Sequence, residues 1–463
     1  MDGTSNFSFD FNTTQLKDWD RRHLWHPFTQ MAEWMEEDPL VITQAEGCTL
    51  VDSEGRRYLD GVSSLWTNIH GHRRAEINTA ICRQMEQVAH STLLGLVNAP
   101  STVLAKKLVE IAPGSLTRVF YSDAGATAVE IALKLATQYW QLRGQPERKQ
   151  FVSLEGSYHG DTIGAMSVGY SETFHRHHRN LLFPCLRIPP PHVFRYYQNM
   201  SETVSLEASL QKARELFAEH GGTLAAVILE PLMQGAAGMW AQPAGFIREI
   251  RKLATEYGTL LIADEVATGF GRTGAMFACE HEHEKIAPDI LCLGKGISGG
   301  YLPLAATLTT EEIFSAFLGE YTEYKTFFHG HTYTGNPLAC AAGIASLEIF
   351  KKDRVLDSLQ AKIELFTQFL TKQIVPLAHV ADVRQKGFMV GIELAEDKAT
   401  RRAYPPEQRI GKRVILRARA KGVILRPLGD VVILMPPLAV SHEELTLLVK
   451  VTREAVETVT EAE

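Results

Sequence analysis

Between residues 118 and 307 the chain alternates short apolar, often β-branched runs with stretches of helical periodicity, and this alternation limits the folds open to it. Strands are expected at 118–122, 151–154, 224–230, 259–264, 289–293 and 302–307, with helices between several of them, at 127–143 and 244–257 among others. Alternation of this kind requires a mostly parallel sheet with helices on both faces, an α/β fold. The flanks read differently. Residues 40–60 fall into three strand-like pieces separated by Gly-bearing turns. After Asn336 come a long Ala-rich helix, LACAAGIASLEIF, the segment VRQKGFMVGIEL, a helix around 408–420, VILRPLGDVVILMP and a final amphipathic helix. These ends are expected to pack together as a smaller α+β domain. Residues 1–70 and 336–463 would form it, and 71–335 would form the large domain. A length of 463 residues exceeds what one ordinary hydrophobic core takes, which favours such a division.

Hydrophobic residues make up 45% and charged residues 22%, as in ordinary globular proteins. The net charge is −7, and HRHHR at 175–179 is too short to count as a basic patch, so no nucleic-acid partner is expected. The opening MDGTSNFSFDFNTT has no basic or apolar region of a signal peptide. No apolar run approaches the ~20 residues of a membrane helix. The cysteines at 48, 82, 185, 279, 292 and 340 show no CxxC pairing and read as reduced thiols of a cytoplasmic protein.

Three strand ends carry chemistry. In Ser122-Asp123-Ala124-Gly125-Ala126-Thr127 a strand gives way to a helix through small residues, where backbone N–H groups and the helix dipole favour an anion such as phosphate. A plain strand-to-helix turn has the same look. In Leu261-Ile262-Ala263-Asp264-Glu265 an apolar strand ends in two acids, at the edge where open α/β sheets bind ligands. A carboxylate there suits a protonated ring nitrogen, and at least one of the two adjacent acids is expected to be exposed. In Leu293-Gly294-Lys295-Gly296-Ile297-Ser298-Gly299-Gly300 a lysine follows a buried strand among glycines that would let a flat cofactor pack on the backbone. A Schiff-base lysine needs room to swing and a lowered pKa. Tyr158, after the strand FVSL, could stack on such a cofactor.

Two patterns are discounted. Gly269-Phe270-Gly271-Arg272-Thr273-Gly274 matches GxGxxG literally, but acids precede it and it stands away from its strand, unlike a dinucleotide fingerprint. Histidine pairs at 70/72, 281/283 and 329/331 lack further ligands at a metal-site spacing, so no metal is expected.

IADEVATGFGRTG followed by DILCLGKGISGG resembles the signature of the class III aminotransferases, ω-type members of the fold-type I, pyridoxal phosphate-dependent enzymes. The resemblance runs from about Leu24 to the final helix. HLWHPFTQM at 23–31, SSLWTNIHGH at 63–72, YHGDTIGAMSVG at 158–169, FACEH at 277–281, FFHGHTYTGNPLACAA at 327–342 and RPLGDVVILMPPL at 426–438 are similar to one branch of that family. That branch aminates 8-amino-7-oxononanoate to 7,8-diaminononanoate in biotin biosynthesis.

The resemblance implies a role for each matching residue. Lys295 would bind pyridoxal 5'-phosphate and shuttle the proton, and Asp264 would pair with the pyridinium nitrogen. Gly125 and Ala126 would hold the phosphate, Tyr158 would stack on the ring, and Glu230 in EPLMQG would stand near the cofactor. His331 and Thr332 would reach the phosphate from a partner subunit, which implies a homodimer. Arg426 would bind the substrate carboxylate, while Trp66 and Gly330 would line the substrate site. Phe28 and Leu65 would border the amino-donor pocket. There the S-adenosylmethionine-using enzymes carry HPYT and SSWW, and this chain has HPFT and SSLW. The HPFTQM form, with KTFFHGHTYTGN, resembles a subgroup that takes its amine from L-lysine. S-adenosylmethionine is the expected donor, with L-lysine, or another class III reaction on ornithine, 4-aminobutyrate or a polyamine, as alternatives. A nicotinamide oxidoreductase using GFGRTG and a non-catalytic cofactor-binding protein are the rivals from other classes.

Overall fold

The computed structural model describes residues 12–198, 200–282 and 286–461; His283, and with it the 281/283 pair, lies outside them, as does most of the polar N-terminal stretch. At its centre is a seven-stranded sheet. Its strands in chain order are β1 (Leu116–Ser122), β2 (Gln150–Leu154), β3 (Leu186–Ile188), β4 (Leu224–Leu229), β5 (Leu260–Asp264), β6 (Ile290–Leu293) and β7 (Ala305–Thr310). They lie side by side as β1-β7-β6-β5-β4-β2-β3. Strand β7 runs antiparallel to both neighbours, and the other pairings are parallel. The reversal has a local cause. The link from β6 to β7 is a short glycine-rich turn, and a parallel return would need a crossover helix.

Every residue of β4, β5 and β6 is buried. Their side chains alternate between the two faces. Ile228, Ile262 and Cys292 join the core beneath helix α1 (Gly125–Leu142), while Val227, Leu261 and Leu291 join the opposite core with helix α2 (Phe246–Glu256). Unbroken apolar runs are what a sheet covered on both sides demands. The last strand begins later than 302 because Gly299, Gly300 and Pro303 keep the chain in a turn. Strand β3 went unforeseen. It has three residues between Pro184 and Pro189, and prolines are tolerated at a sheet edge.

The pieces at 40–60 form an antiparallel meander, Ile42–Glu46, Thr49–Asp52 and Arg57–Asp60. Val423–Ile424 adds to it in parallel beside Arg57–Asp60, so the two ends of the chain meet in one sheet. A second small sheet orders Val380–Lys386, Met389–Leu394, Val431–Leu434 and Arg426–Leu428. The proposed division at residue 336 falls at the N-cap of helix α3 (Pro337–Lys352), where the Asn336 side chain accepts from the Ala339 N–H. That helix packs against helices Ala75–Gln87 and Ala99–Ile111. Among the described residues no helix is long and apolar enough to cross a membrane.

Ile262 is fully buried at the middle of β5. Ile262→Ala is expected to lower stability by about 2–5 kcal/mol through lost burial and a residual cavity, read as a reduced midpoint in urea unfolding.

Candidate active site

The parallel strands β1, β2, β4, β5 and β6 all end at one edge of the sheet, and the residues that follow them converge there. They enclose a cavity of about 390 Å³ lined by Gly125, Ala126, Tyr158, Glu230, Asp264 and Lys295, with Trp66 closing one side. Five separate stretches of sequence therefore meet in one place.

Asp264 ends β5 and is buried. Its Oδ1 accepts from the Val266 N–H at 3.0 Å, and its Oδ2 lies 2.6 Å from Nδ1 of His159. A ring nitrogen facing a carboxylate at that distance donates, so the His159 proton sits on Nδ1. The other ring nitrogen, Nε2, is buried with no hydrogen-bond partner among the described residues. His159 is buried along with Asp264 and lines the cavity, yet sequence reasoning passed over it. Its only signal was adjacency to Tyr158 in YHGD.

The neighbouring acid corrects an expectation. Glu265 is fully buried, not exposed. Alternation along the strand turns it away from Asp264, and its carboxylate accepts from Thr268 Oγ1 at 2.6 Å and from the backbone N–H groups of Ala278 and Cys279 at 3.0 and 2.9 Å. It anchors the short 3₁₀ turn Ala278–His281.

Glu230 follows β4. It accepts from the N–H groups of Tyr158 at 3.1 Å and Gly235 at 2.8 Å. Burial pushes its carboxyl up to about 7, with His159 pulling against the shift and Asp264 adding to it. Lys295 follows β6 through Gly294, in a left-handed conformation with φ +40°. Burial lowers the pKa of its amine, and the Asp264 and Glu230 carboxylates partly oppose that. Its Nζ stands 5.5 Å from the centre of the Trp66 ring.

The glycines around Lys295 serve the protein's own packing. They pack against protein: a Cβ on Gly296 would lie 3.0 Å from Phe270 Cβ, and one on Gly294 would lie 3.3 Å from the Gly125 Cα. Gly294 thus lets the Lys295 loop close on the N-terminus of α1. Gly125 and Ala126 are the first residues of that helix and face the cavity, so its positive end opens onto it.

Tyr158 lines the cavity, and its hydroxyl donates to Asp161 Oδ2 at 2.6 Å. Burial, reinforced by Asp161, raises the pKa of that hydroxyl. Arg426 is half-buried on the small sheet, close enough to Tyr158 for each to feel the other's charge. Phe28 is exposed and meets Phe174 edge-on at 5.7 Å; Phe174 meets Tyr158 in the same way at 6.3 Å. Leu65 is also exposed. Gly330, His331 and Thr332 sit on a stretch of turns before α3 and do not line the cavity of their own chain.

The discounted patterns have structural uses. Arg272 of GFGRTG is buried and donates to the carbonyls of Pro436 and Asn68 at 2.8 and 2.7 Å, tying three loops together. His70 bonds Ser346, His72 bonds Asp60, His281 bonds Thr273 and His329 bonds Lys134. Among the described residues no cluster of His, Cys, Asp and Glu is placed to hold a metal ion.

The family described as aminotransferase class-III matches residues 30–456. A relative from Geobacter sulfurreducens, an adenosylmethionine-8-amino-7-oxononanoate aminotransferase, is 51% identical over 97% of this chain and 99% of its own. The crystal structure of the enzyme of that name from Methanocaldococcus jannaschii superposes with a TM-score of 0.92 at 48% identity, covering 97% of this chain and 100% of the other. An amine transaminase from an uncultivated Pseudomonas species, solved with pyridoxal phosphate bound, gives 0.88 at 35% identity, covering 94% and 99%.

The depressed pKa of Lys295 has a direct readout in the cofactor-free protein. An amine-acylating reagent is expected to modify Lys295 at lower pH than exposed lysines such as Lys106, followed by peptide mass spectrometry across a pH series. Lys295 labelling that tracks Lys106 at every pH would remove the shift.

Proposed function

The chain belongs to the class III aminotransferases, and from that premise we propose that it transfers an amino group from S-adenosylmethionine to 8-amino-7-oxononanoate, yielding 7,8-diaminononanoate for biotin biosynthesis. The observation that carries this reading is the convergence of Lys295, Asp264 and the N-terminus of α1 on one cavity. Relatives from several organisms at about this similarity bear a name that specifies adenosylmethionine, which puts that donor ahead of L-lysine.

The cofactor of this family is pyridoxal phosphate, and the donor set fits it. Asp264 offers a buried carboxylate for a protonated pyridine nitrogen, Lys295 an amine for the aldehyde carbon, and the start of α1 a positive end for the phosphate. When bound, pyridoxal phosphate supplies the carbonyl that takes up the amine and the electron sink that acidifies the adjacent carbon. The protein's residues do the rest. Lys295 Nζ would hold the cofactor and would carry the proton to and from the substrate carbon. Its lowered pKa favours the neutral amine that this task needs. Asp264, kept in place by His159, would stabilise positive charge on the ring. Gly125 and Ala126 would hold the phosphate, Tyr158 would stack on the ring, and Glu230, its carboxyl raised by burial, would stand beside it. Arg426 pairs with the carboxylate of the keto acid, Trp66 and Gly330 wall its channel, and Phe28 and Leu65 border the donor.

The same reading makes the protein a homodimer, with His331 and Thr332 of each subunit completing the phosphate site of the other. Large apolar side chains at Leu94, Val97, Tyr321 and Phe328 stand exposed on the single chain, as a surface covered by a second copy would be. Small molecules in the cytoplasm are its partners, with no nucleic acid or membrane involved.

Lys295→Ala is expected to abolish transamination and the visible absorbance of lysine-bound pyridoxal phosphate. Activity surviving in that variant would sink the assignment. Mixing the cofactor-loaded protein separately with S-adenosylmethionine and L-lysine should bleach that band with the former alone, and 8-amino-7-oxononanoate, not 2-oxoglutarate, should restore it. Arg426→Ala is expected to lower kcat/KM for the keto acid by roughly 10- to 100-fold, the worth of a charge-assisted carboxylate contact, in steady-state assays.

A further inference from the structure

Trp66 reaches the cavity from an unusual piece of backbone. Ser63, Ser64, Leu65 and Trp66 have φ of +52°, +49°, +81° and +68°, four consecutive left-handed residues with no glycine or asparagine among them. They form one turn of left-handed helix. The Leu65 and Trp66 N–H groups donate to the Val62 carbonyl at 3.1 and 2.8 Å, and those of Thr67 and Asn68 donate to Ser63 at 3.0 and 3.1 Å. Ordinary L-residues avoid this conformation unless their surroundings over-determine it.

The surroundings here are one carboxylate. Asp60 is fully buried at the end of the strand Arg57–Asp60, where the two ends of the chain meet. Its Oδ1 accepts from the Ser64 N–H at 2.9 Å, and its Oδ2 accepts from the Ser64 hydroxyl at 2.7 Å. His72 Nε2 stands 3.2 Å from the same Oδ2 and fixes the carboxylate from the other side. The Ser63 hydroxyl donates to the Met435 carbonyl at 2.6 Å and pins the start of the turn. The turn leaves Trp66 buried, its ring 5.5 Å from Lys295 Nζ and packed toward Gly235, where an added Cβ would lie 3.2 Å from the indole. Its Nε1–H is buried without a partner among the described residues.

We infer that Asp60, acting through Ser64, is a positioning residue for the substrate wall: it holds residues 63–66 in a left-handed turn that fixes Trp66 across from Lys295. A right-handed turn would send the side chain elsewhere and open that wall. The substrate's identity rests on the proposed function, while the turn and its carboxylate stand independently of it.

Two substitutions at one position separate strain from simple loss of contact. Ser64→Ala and Ser64→Gly both remove the hydroxyl bond to Asp60, but only glycine adopts the left-handed conformation without cost. Hydrogen–deuterium exchange of the peptide spanning 62–68, on the full-length protein, reads the turn without substrate. In Ser64→Ala, protection should fall by roughly five- to thirty-fold, the worth of one unsupported left-handed residue. The KM for the keto acid should rise several-fold while kcat changes less, and Ser64→Gly should recover most of both. Wild-type exchange and KM in Ser64→Ala, or a Ser64→Gly variant as impaired as Ser64→Ala, would overturn the inference. A wild-type protein inactive on every amine tested would overturn the proposed function instead, with the exchange data still deciding the turn.

Discussion

A carboxylate at the end of a strand covered on both faces cannot keep its charge unaided, because burial of an unpaired ion costs several kcal/mol. Asp264 meets that constraint with His159, and the rest of the site is arranged around the pair. His159 comes from the segment after β2, Glu230 from the end of β4 and Lys295 from the end of β6. Strand β5 lies between β4 and β6, so the sheet order itself brings two acids and an amine to the same cavity. Burial raises the Glu230 carboxyl and Asp264 adds to the shift, while both acids attract the amine that burial depresses. A cationic ring between Asp264 and Lys295 would relieve this arrangement, and so the site's electrostatics and its cofactor chemistry are one property.

A second stored cost lies beside the first. Each left-handed residue among Ser63–Trp66 carries roughly 1–2 kcal/mol of strain. Four of them approach the net stability of a typical domain, which is about 5–15 kcal/mol. Such a turn persists only on a rigid base. That base is the sheet in which Arg57–Asp60 pairs with Val423–Ile424, so contact between distant ends of the chain reaches the cavity wall through the Asp60 carboxylate.

Much of this was legible in the sequence wherever one physical demand dominated. Strands β4, β5 and β6 showed as apolar runs because a doubly covered sheet admits little else. Lys295, Asp264 and Gly125 stood out because they end such runs in residues a strand interior does not use. What stayed hidden depended on long-range packing. The three residues of β3 carry too little periodicity to register. The antiparallel β7 follows from a link length, not from its own residues. His159 is one histidine among 17, and only the fold aims it at Asp264. Glu265 was misread because its partners, Ala278 and Cys279, are backbone groups far along the chain. The glycines around Lys295 show a need for close approach, but the sequence cannot say what approaches. The left-handed turn has no glycine to betray it at all.

The two ends of the proposed substrate path are built to different standards. Arg426 and Trp66 are carried by a sheet strand and a strained, pinned turn. Phe28 belongs to an N-terminal segment whose helices, Thr13–His23 and Met31–Trp34, bury none of their residues. Ion pairs at the surface hold that segment: Glu33 with Arg409 and Lys412, and Glu37 with Lys412 at 2.6 Å. Such pairs compete with water and salt, and they fix a side chain far less firmly than a packed core does. Phe28 itself sits at φ +51° and leans on Phe174, edge-on. Phe28 does not line the cavity that holds Asp264 and Lys295. The departure from HPYT therefore falls where the fold tolerates change, whereas the departure from SSWW, at Leu65, falls within the pinned turn.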